Sequence, residues 1–238
     1  MQRSLRLTPD HIAHVHRDIP DPGPALLEGF RPAGDADYDG EIARLLAAAP
    51  TPDDIWIFGY GSLIWNPCYP FTEQRTALAH GWHRSFTLGW DYRFRGTRQV
   101  PGLMMALDRG GQCKGVVHRL DGATAKADLD ILIRREMSMV PTAFPGRWIS
   151  VKTAEGPVWA LTFAMDRRSP RYIGGLSPEA TADVLARACG FRGSMAEYLR
   201  ATVAQLEQLG IHDRYLWTLQ GLVADRIDMH RAGPSSDA

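Results

Sequence analysis

The sequence predicts an α+β domain with a small barrel or curled sheet. The first observation behind this prediction is a series of short apolar runs between residues 55 and 165, which Gly, Pro and Asp separate as they do strands. The second is a change after Pro170, beyond which apolar residues recur at helical spacing. A chain of 238 residues that is 45% hydrophobic can bury a sizeable core.

Residues 1–52 are predicted to form an N-terminal extension with one short helix. The first part of this segment is rich in Pro, Asp, Gly and His and shows little periodicity. A helix is expected over 38–49, where Ile42 and Leu46 share one side. Pro50 then ends it.

The main domain is expected over residues 53–231, and a disordered tail over 232–238. Its predicted strands are 55–58, 84–90, 101–108, 114–120, 147–153 and 157–165. Its predicted helices are 124–139, 178–189, 194–209 and 214–230. Gly210 closes the third of these helices.

The charge balance argues against a nucleic-acid or membrane partner. Basic and acidic residues number 27 each, so the chain lacks the broad basic surface of a protein that binds either one. No apolar run approaches the length of a membrane span. Small neutral or zwitterionic molecules are therefore the expected partners, and the sequence leaves the oligomeric state open.

Cysteine usage predicts a reducing, cytoplasmic location. Cys68, Cys113 and Cys189 are odd in number and widely spaced, so they form neither a disulfide framework nor a CxxC metal or redox pair. The N-terminal residues also lack the apolar core of a signal peptide.

The segment from Ile55 to Pro67 is the most informative part of the chain. It begins as an apolar run and then breaks into Gly59 and Gly61, which flank a tyrosine. We interpret it as a buried strand that leads into a loop. The two glycines are expected to allow backbone conformations that other residues resist, so that the loop directs free N–H groups at an anion or a polarised carbonyl.

Glu136 is the candidate catalytic group. In the predicted helix, Leu129, Leu132, Ile133 and Glu136 fall at positions i, i+3, i+4 and i+7. This spacing places the carboxylate in line with the apolar face of the helix.

The environment expected for Glu136 favours proton transfer. Arg134 and Arg135 are predicted to point elsewhere around the helix and not to neutralise it. Desolvation without a close cation raises the pKa of a carboxyl group toward the range of an efficient general base. The alternative is that Glu136 ends a helix whose last turn is exposed, since Pro141 follows closely.

A set of motifs resembles the ChaC-like γ-glutamylcyclotransferases. The motifs are FGYGSLIWNP at 58–67, GWHRSF at 81–86, RGT at 96–98, PG at 101–102, GVVHRL at 115–120, RRE at 134–136, and EYL with QLGI within 197–211. They keep the family's order and extend from about residue 55 to about residue 223. The first motif is the specific one.

The resemblance implies a γ-glutamylcyclotransferase-like fold, a small mixed β-barrel with flanking helices and a helical C-terminal part. It also implies cleavage of glutathione to 5-oxoproline and cysteinylglycine by intramolecular attack of the α-amine, without a cofactor. Glu136 aligns with the proton acceptor, and Tyr198 is a further candidate for substrate binding. The residues implied for the loop that holds the γ-glutamyl group are Ile57, Phe58, Gly59, Tyr60, Gly61, Ser62 and Leu63.

Two arginines, Arg84 and Arg98, are candidates for binding a substrate carboxylate, because a guanidinium group can bind one bidentately. Arg98 belongs to the run YRFRGTR, which also contains Arg93 and Arg95. This run has an alternative interpretation as an RNA-binding patch, which the zero net charge disfavours.

The residues also allow an amide hydrolase, a noncatalytic binding module or a metal site. Ser62 or Cys68 could be the nucleophile of a hydrolase, although Ser62 lacks the flanking glycines of a nucleophile elbow. The same fold could serve as a noncatalytic module that binds small molecules. His11, His14 and His16 could bind a metal, although no carboxylate–cysteine set accompanies them and no resident metal is expected.

Overall fold

The computed structural model describes residues 3–24 and 27–232. Its helices are α1 (Pro9–Val15), α2 (Asp35–Ala47), α3 (Ser62–Trp65), α4 (Ala125–Glu136), α5 (Pro178–Leu185), α6 (Met195–Gln208) and α7 (Arg214–Ala232). Its strands are β1 (Arg31–Pro32), β2 (Trp56–Gly59), β3 (Glu73–Asp91), β4 (Gly102–Arg119), β5 (Met139–Val140), β6 (Gly146–Thr153), β7 (Gly156–Phe163), β8 (Cys189–Gly190) and β9 (Gly193–Ser194). The predicted α+β class is confirmed.

The chain divides into two compact units. The barrel unit comprises Leu26–Ser85 and Met105–Tyr172, and the helical unit comprises Met1–Ala25, Phe86–Met104 and Ile173–Ala238. The extension predicted over residues 1–52 contributes to both units, and its boundary with the main domain stays a prediction.

The barrel closes in the order β2-β4-β3-β6-β7. Strand β2 pairs antiparallel with β4 and parallel with β7, so both of its edges are hydrogen-bonded. All four residues of β2 are buried. A continuous apolar run is what such an enclosed strand requires, and the buried strand predicted at 55–58 is confirmed.

Two long strands replace several of the short strands that the sequence predicts. Strand β3 begins at Glu73, well before the predicted 84–90. Its first residues are polar and partly exposed, so they lack the apolar run from which the sequence predicts a strand. Strand β4 spans both 101–108 and 114–120. Gly110 and Gly111 adopt φ angles of 105° and 67° on an exposed stretch of β4, so they mark an irregularity within one strand and not a turn between two.

Helix α4 packs against α2 within the barrel unit. Leu129, Leu132 and Ile133 are fully buried, which confirms the predicted apolar face. On this helix Glu136 is the final residue.

The end of α4 differs from the prediction, which extended the helix to residue 139. Met137 has φ −109° and ψ 77° and therefore leaves the helical conformation. Met139–Val140 instead forms β5, which pairs with β1. Val140 comes before Pro141, and a residue before proline is biased toward extended backbone, which favours β5 over a longer helix.

In the helical unit, α6 and α7 lie close to the predicted 194–209 and 214–230. Helix α5 ends at Leu185 and not at residue 189, because Cys189–Gly190 forms β8 and pairs with β9. Of the tail predicted over 232–238, Ala232 ends α7 and the other residues lie outside the described part of the chain.

Helix α1 lies in a segment where the sequence analysis predicts no helix. Thr8 and His11 form a capping box at its start. Leu7 is fully buried, and its N–H donates to Oε1 of Gln220 in α7 at 2.9 Å. The helix has only seven residues, and its stability comes from packing against α6 and α7 more than from its own periodicity.

Gly115→Ala is expected to lower the free energy of unfolding by about 1–3 kcal/mol, the usual cost of overpacking. An added Cβ would lie 2.3 Å from the carbonyl oxygen of Gly59 and 2.9 Å from the Phe58 ring. Urea denaturation measures the effect. The matched control is Gly122→Ala, where a Cβ meets no atom within 4 Å. Equal stability of the two variants would contradict the tight β2–β4 contact.

Candidate active site

The loop that follows β2 consists of Tyr60 and Gly61 and leads into α3. Gly59 is needed for close packing, because a Cβ there would lie 3.3 Å from Cβ of Leu63 and 3.4 Å from Cγ2 of Val116. Gly61 has φ −134° and ψ −125°. Neither Gly59 nor Gly61 adopts a positive φ, and the backbone freedom expected of the two glycines stays a prediction.

The side chains of the loop face mainly inward. Ile57 and Phe58 have no exposed area, and Leu63 is buried. The hydroxyl of Tyr60 donates to the carbonyl oxygen of Phe163 at 3.1 Å, which fixes the ring in the barrel unit. Direct binding of substrate by the side chains of Ile57 and Phe58 stays a prediction. The complete burial of these side chains does not favour it.

Helix α3 is a single turn that begins at the loop. The N–H of Ile64 donates to Gly61 O at 3.0 Å, and the N–H of Asn66 donates to Ser62 O at 2.7 Å. The first N–H groups of a helix have no acceptor within it. The N–H groups of Ser62 and Leu63 are therefore the donors that this segment can offer to a substrate oxygen.

Arg84 lies on β3 with a side chain directed at the loop. The residue is only 5% exposed. Its Nε donates to the carbonyl oxygen of Tyr60 at 2.6 Å, and Nη2 donates to the carbonyl oxygen of Lys114. These contacts give Arg84 a role in holding the loop, which differs from the carboxylate binding that the sequence predicts for it.

Glu136 presents a largely buried carboxylate. Its side chain is 18% exposed. Burial raises the pKa of the Glu136 carboxyl above its ordinary value, and the charge of Arg135 opposes that shift. Glu136 does end the helix, as the alternative interpretation required, but most of its side chain is buried.

Arg135 connects Glu136 to Ser62, the first residue of α3. Its Nε lies 3.4 Å from Oε1 of Glu136, and its Nη2 donates to Oγ of Ser62 at 3.0 Å. The prediction that Arg135 points away is wrong, because helix faces alone do not limit the reach of a long side chain. The sequence analysis missed Arg135 as a site residue, and its place before Glu136 was the available signal.

A second polar group links Tyr69, His118 and Gln74 within the barrel unit. The hydroxyl of Tyr69 donates to Nδ1 of His118 at 3.2 Å, and Nε2 of His118 donates to Oε1 of Gln74 at 3.0 Å. Burial lowers the pKa of His118 to about 4, so its ring is neutral at pH 7. Burial also raises the pKa of the Cys68 thiol, and the Glu136 charge acts in the same direction.

Tyr198 and Arg98 lie in the helical unit. Tyr198 is buried on α6 and packs edge-on against Phe86, with ring centroids 6.3 Å apart. Arg98 is exposed, and its guanidinium carbon lies 5.9 Å from the centre of the Tyr92 ring. Their binding of substrate stays a prediction.

The arginines beside Arg98 have carboxylate partners. Arg93 donates to both carboxylate oxygens of Asp21, at 2.7 and 2.8 Å. Arg95 donates to Glu197 at 2.8 Å. These ion pairs neutralise much of the basic run and further disfavour its interpretation as an RNA-binding patch.

The histidines of the N-terminal segment do not converge. His11 is buried, with Nε2 3.1 Å from a carboxylate oxygen of Asp228 and Nδ1 2.7 Å from Thr8 Oγ1. Within residues 3–24 and 27–232, no group of three or more His, Cys, Asp or Glu side chains could hold a metal ion. Over those residues no helix combines the length and hydropathy that crossing a membrane requires.

Comparison with known proteins identifies the family. The model of the family described as ChaC-like protein matches residues 55–226. A glutathione-specific γ-glutamylcyclotransferase of Escherichia coli K12 is 39% identical over 173 residues, which are 72% of this chain and 74% of that protein. The human glutathione-specific γ-glutamylcyclotransferase 1 is 31% identical over 62% of this chain and 68% of its own length.

The fold agrees with this match. A crystal structure of a γ-glutamyl cyclotransferase specific to glutathione from yeast superposes with a TM-score of 0.67 at 22% identity, covering 73% of this chain and 97% of that chain. The γ-glutamylcyclotransferase-like fold that the motifs implied is thereby confirmed. The chain belongs to the ChaC-like family.

Arg84→Lys is expected to lower the free energy of unfolding by about 1–3 kcal/mol, because an ammonium group cannot replace the bond from Nε and leaves a buried carbonyl of the loop without its donor. Urea denaturation gives the value. Arg75→Lys is the control, since Arg75 lies on the same strand but pairs with Glu73 near the surface. A loss no larger than in the control would contradict the role of Arg84.

His118 is expected to make stability depend on pH between about 6.5 and about 4. Its folded pKa is depressed to about 4, so the unfolded state binds the proton first as pH falls. Stability then decreases by up to about 1.4 kcal/mol per pH unit across this window. Urea denaturation at several pH values should show a shallower slope for His118→Gln, and parallel slopes would refute the assignment.

Proposed function

We propose that this protein is a γ-glutamylcyclotransferase that converts glutathione, or a related γ-glutamyl peptide, to 5-oxoproline and a free amine. With glutathione the amine product is cysteinylglycine. The observation that carries the proposal is the largely buried carboxylate of Glu136, which Arg135 connects to Ser62 at the start of α3. The names of the E. coli and human relatives support the same activity.

The proposed reaction uses a nucleophile that the substrate itself contains. The α-amine nitrogen attacks the γ-carbonyl carbon, a five-membered ring closes, and the bond between that carbon and the amide nitrogen breaks. Well-oriented intramolecular reactions reach effective molarities on the order of 10⁵ M or more. The protein therefore has to fold the substrate and move protons, and it has no need to form a covalent intermediate.

Glu136 moves the proton in this scheme. Its carboxylate accepts a proton from the α-ammonium group before the attack and returns it to the departing amide nitrogen. The ring nitrogen loses its second surplus proton as the lactam forms, and the departing amine takes up that proton and leaves as an ammonium group, so the protons balance over one turnover. The raised pKa of Glu136 suits both steps, because a base whose pKa lies closer to the working pH accepts and releases a proton readily.

The loop stabilises the charge that develops on the γ-carbonyl oxygen. The donors proposed for this oxyanion are the N–H groups at the start of α3, those of Ser62 and Leu63. Donors fixed in advance stabilise a developing charge without reorganising during the reaction. The bond from Arg84 to the carbonyl of Tyr60 supplies part of that rigidity.

The contacts of the two candidate nucleophiles do not favour a hydrolase. Oγ of Ser62 accepts a hydrogen bond from Arg135, and a guanidinium group stays protonated and cannot act as a base. The raised pKa of Cys68 keeps its thiol protonated. Neither side chain is activated in the way that nucleophilic catalysis requires.

We place this activity in the cytoplasm. Cys68, Cys113 and Cys189 form no disulfide, and two of them are buried, which suits a compartment where thiols stay reduced. The substrate is a small molecule, and neither a nucleic acid nor a membrane takes part in the proposed reaction.

Glu136→Gln is expected to reduce kcat about 10²- to 10⁴-fold, which is the contribution of general acid–base catalysis. The assay follows 5-oxoproline and cysteinylglycine released from glutathione by chromatography. Free glutamate as the product would indicate a hydrolase, and binding without turnover would indicate a noncatalytic module. Near-normal turnover by the folded variant would refute the role of Glu136.

The control for this experiment is Glu155→Gln, which changes an exposed carboxylate in the turn between β6 and β7. Thermal unfolding of both variants tests folding. A raised folded pKa means that Glu136 loses stabilising free energy as pH rises through that pKa. Glu136→Gln should therefore be at least as stable as the parent at pH 8.

A further inference from the structure

Arg135 contacts groups on α3 and α4 of the barrel unit, and it also acts on the Cys68 thiol, whose pKa it lowers against the effect of burial. Its Nε lies 3.4 Å from the Glu136 carboxylate at the end of α4. Its Nη2 donates to Ser62 Oγ at 3.0 Å, and its Nη1 donates to the carbonyl oxygen of Asn66 at 2.6 Å. Ser62 begins α3 and Asn66 caps its end, so one guanidinium group spans that helix.

The neighbouring Arg134 shows that these contacts are not a general property of arginines on α4. Its Nε donates to both carboxylate oxygens of Asp130, and its Nη1 donates to Asp35 at 2.7 Å. Its side chain is 40% exposed, against 26% for Arg135. Arg134 therefore forms a surface ion-pair network, whereas Arg135 serves the candidate active site.

The hydrogen bond from Arg135 sets the direction of the Ser62 hydroxyl. A hydroxyl group has one proton to donate and lone pairs to accept. Because Arg135 supplies the donor to one lone pair, the Ser62 proton is left to donate to another group. Ser62 can thus present an O–H to an oxygen of the substrate while its own position stays fixed.

The ion pair acts on Glu136 in two ways. Through Arg135 it connects the carboxylate to Ser62 at the start of α3, where the proposed oxyanion donors lie. It also stabilises the charged form, which opposes the effect of burial on the pKa of Glu136. A base in a desolvated site needs such a counterion to be ionised at working pH.

We propose that Arg135 is a positioning residue for the cyclisation, which holds Glu136 and the Ser62 hydroxyl in one fixed arrangement around the substrate. The proposal rests on the proposed function. It extends the site to a residue that need not touch the reacting atoms. The planar guanidinium group of arginine carries several donors and can make these contacts together, whereas the ammonium group of lysine cannot.

Arg135→Gln is expected to lower kcat/KM for glutathione about 10- to 100-fold, since small misplacements of a catalytic group have effects of that size. The acidic limb of the pH profile should also move to higher pH by about one unit, because Glu136 loses its cation. Arg134→Gln is the matched control and should change neither quantity. Arg135→Lys should restore the acidic limb but not the full rate.

A readout that needs no turnover separates this inference from the proposed function. The carbon-13 shift of the Glu136 carboxyl, assigned with Glu136→Gln, reports its titration in each variant. A higher pKa in Arg135→Gln and an unchanged pKa in Arg134→Gln support the inference, even if the parent protein releases no 5-oxoproline and the proposed function fails. Equal titration in both variants overturns it.

Folding of each variant is checked by thermal unfolding. If Arg135→Gln does not fold, Arg135→Lys tests the proposal instead, because it keeps the positive charge and loses the planar guanidinium group. A loss of kcat/KM with an unchanged Glu136 titration then supports the positioning role, and full activity of Arg135→Lys overturns it.

Discussion

The enclosure of β2 between β4 and β7 is the constraint on which the site depends. Because both edges of β2 are hydrogen-bonded and all its residues are buried, the chain leaves the barrel at a fixed point and in a fixed direction. Gly59 and Gly115 permit the close approach that this requires. The loop and α3 therefore start from a rigid base, and the bonds from Arg84 and Tyr60 hold them there. A loop so fixed can present backbone donors with little loss of entropy on binding.

The site balances two opposing electrostatic effects. Burial disfavours the ionised form of Glu136, while Arg135 favours it. Burial raises the pKa of such a carboxyl group and a neighbouring cation lowers it. The two effects together leave a group that can both take up and release a proton, which a reaction with an internal proton transfer requires.

The sequence predicts the parts of this site that follow from a regular period. The apolar run at 55–58 identifies β2, and the helical spacing of Leu132, Ile133 and Glu136 places the carboxylate on the inner face. Features that depend on distant contacts were not predictable. A glycine pair at 110–111 is typical of a turn but lies within β4, which continues on both sides of it. The contact of Arg135 with Ser62 joins residues far apart in sequence, and no local pattern encodes it.

The contacts of α1 have a consequence for how the chain is made. Arg6 donates to Asp228, the N–H of Leu7 donates to Gln220, and Arg231 pairs with Asp10, so the start of the chain is bonded to its last helix across more than 200 residues. During synthesis the segment around α1 emerges well before α7. The intervening residues must be made before these contacts can form, and contacts of such high sequence separation form slowly. The helical unit is therefore completed only once α7 has been synthesised, and until then the segment around Leu7 lacks its partners on that helix.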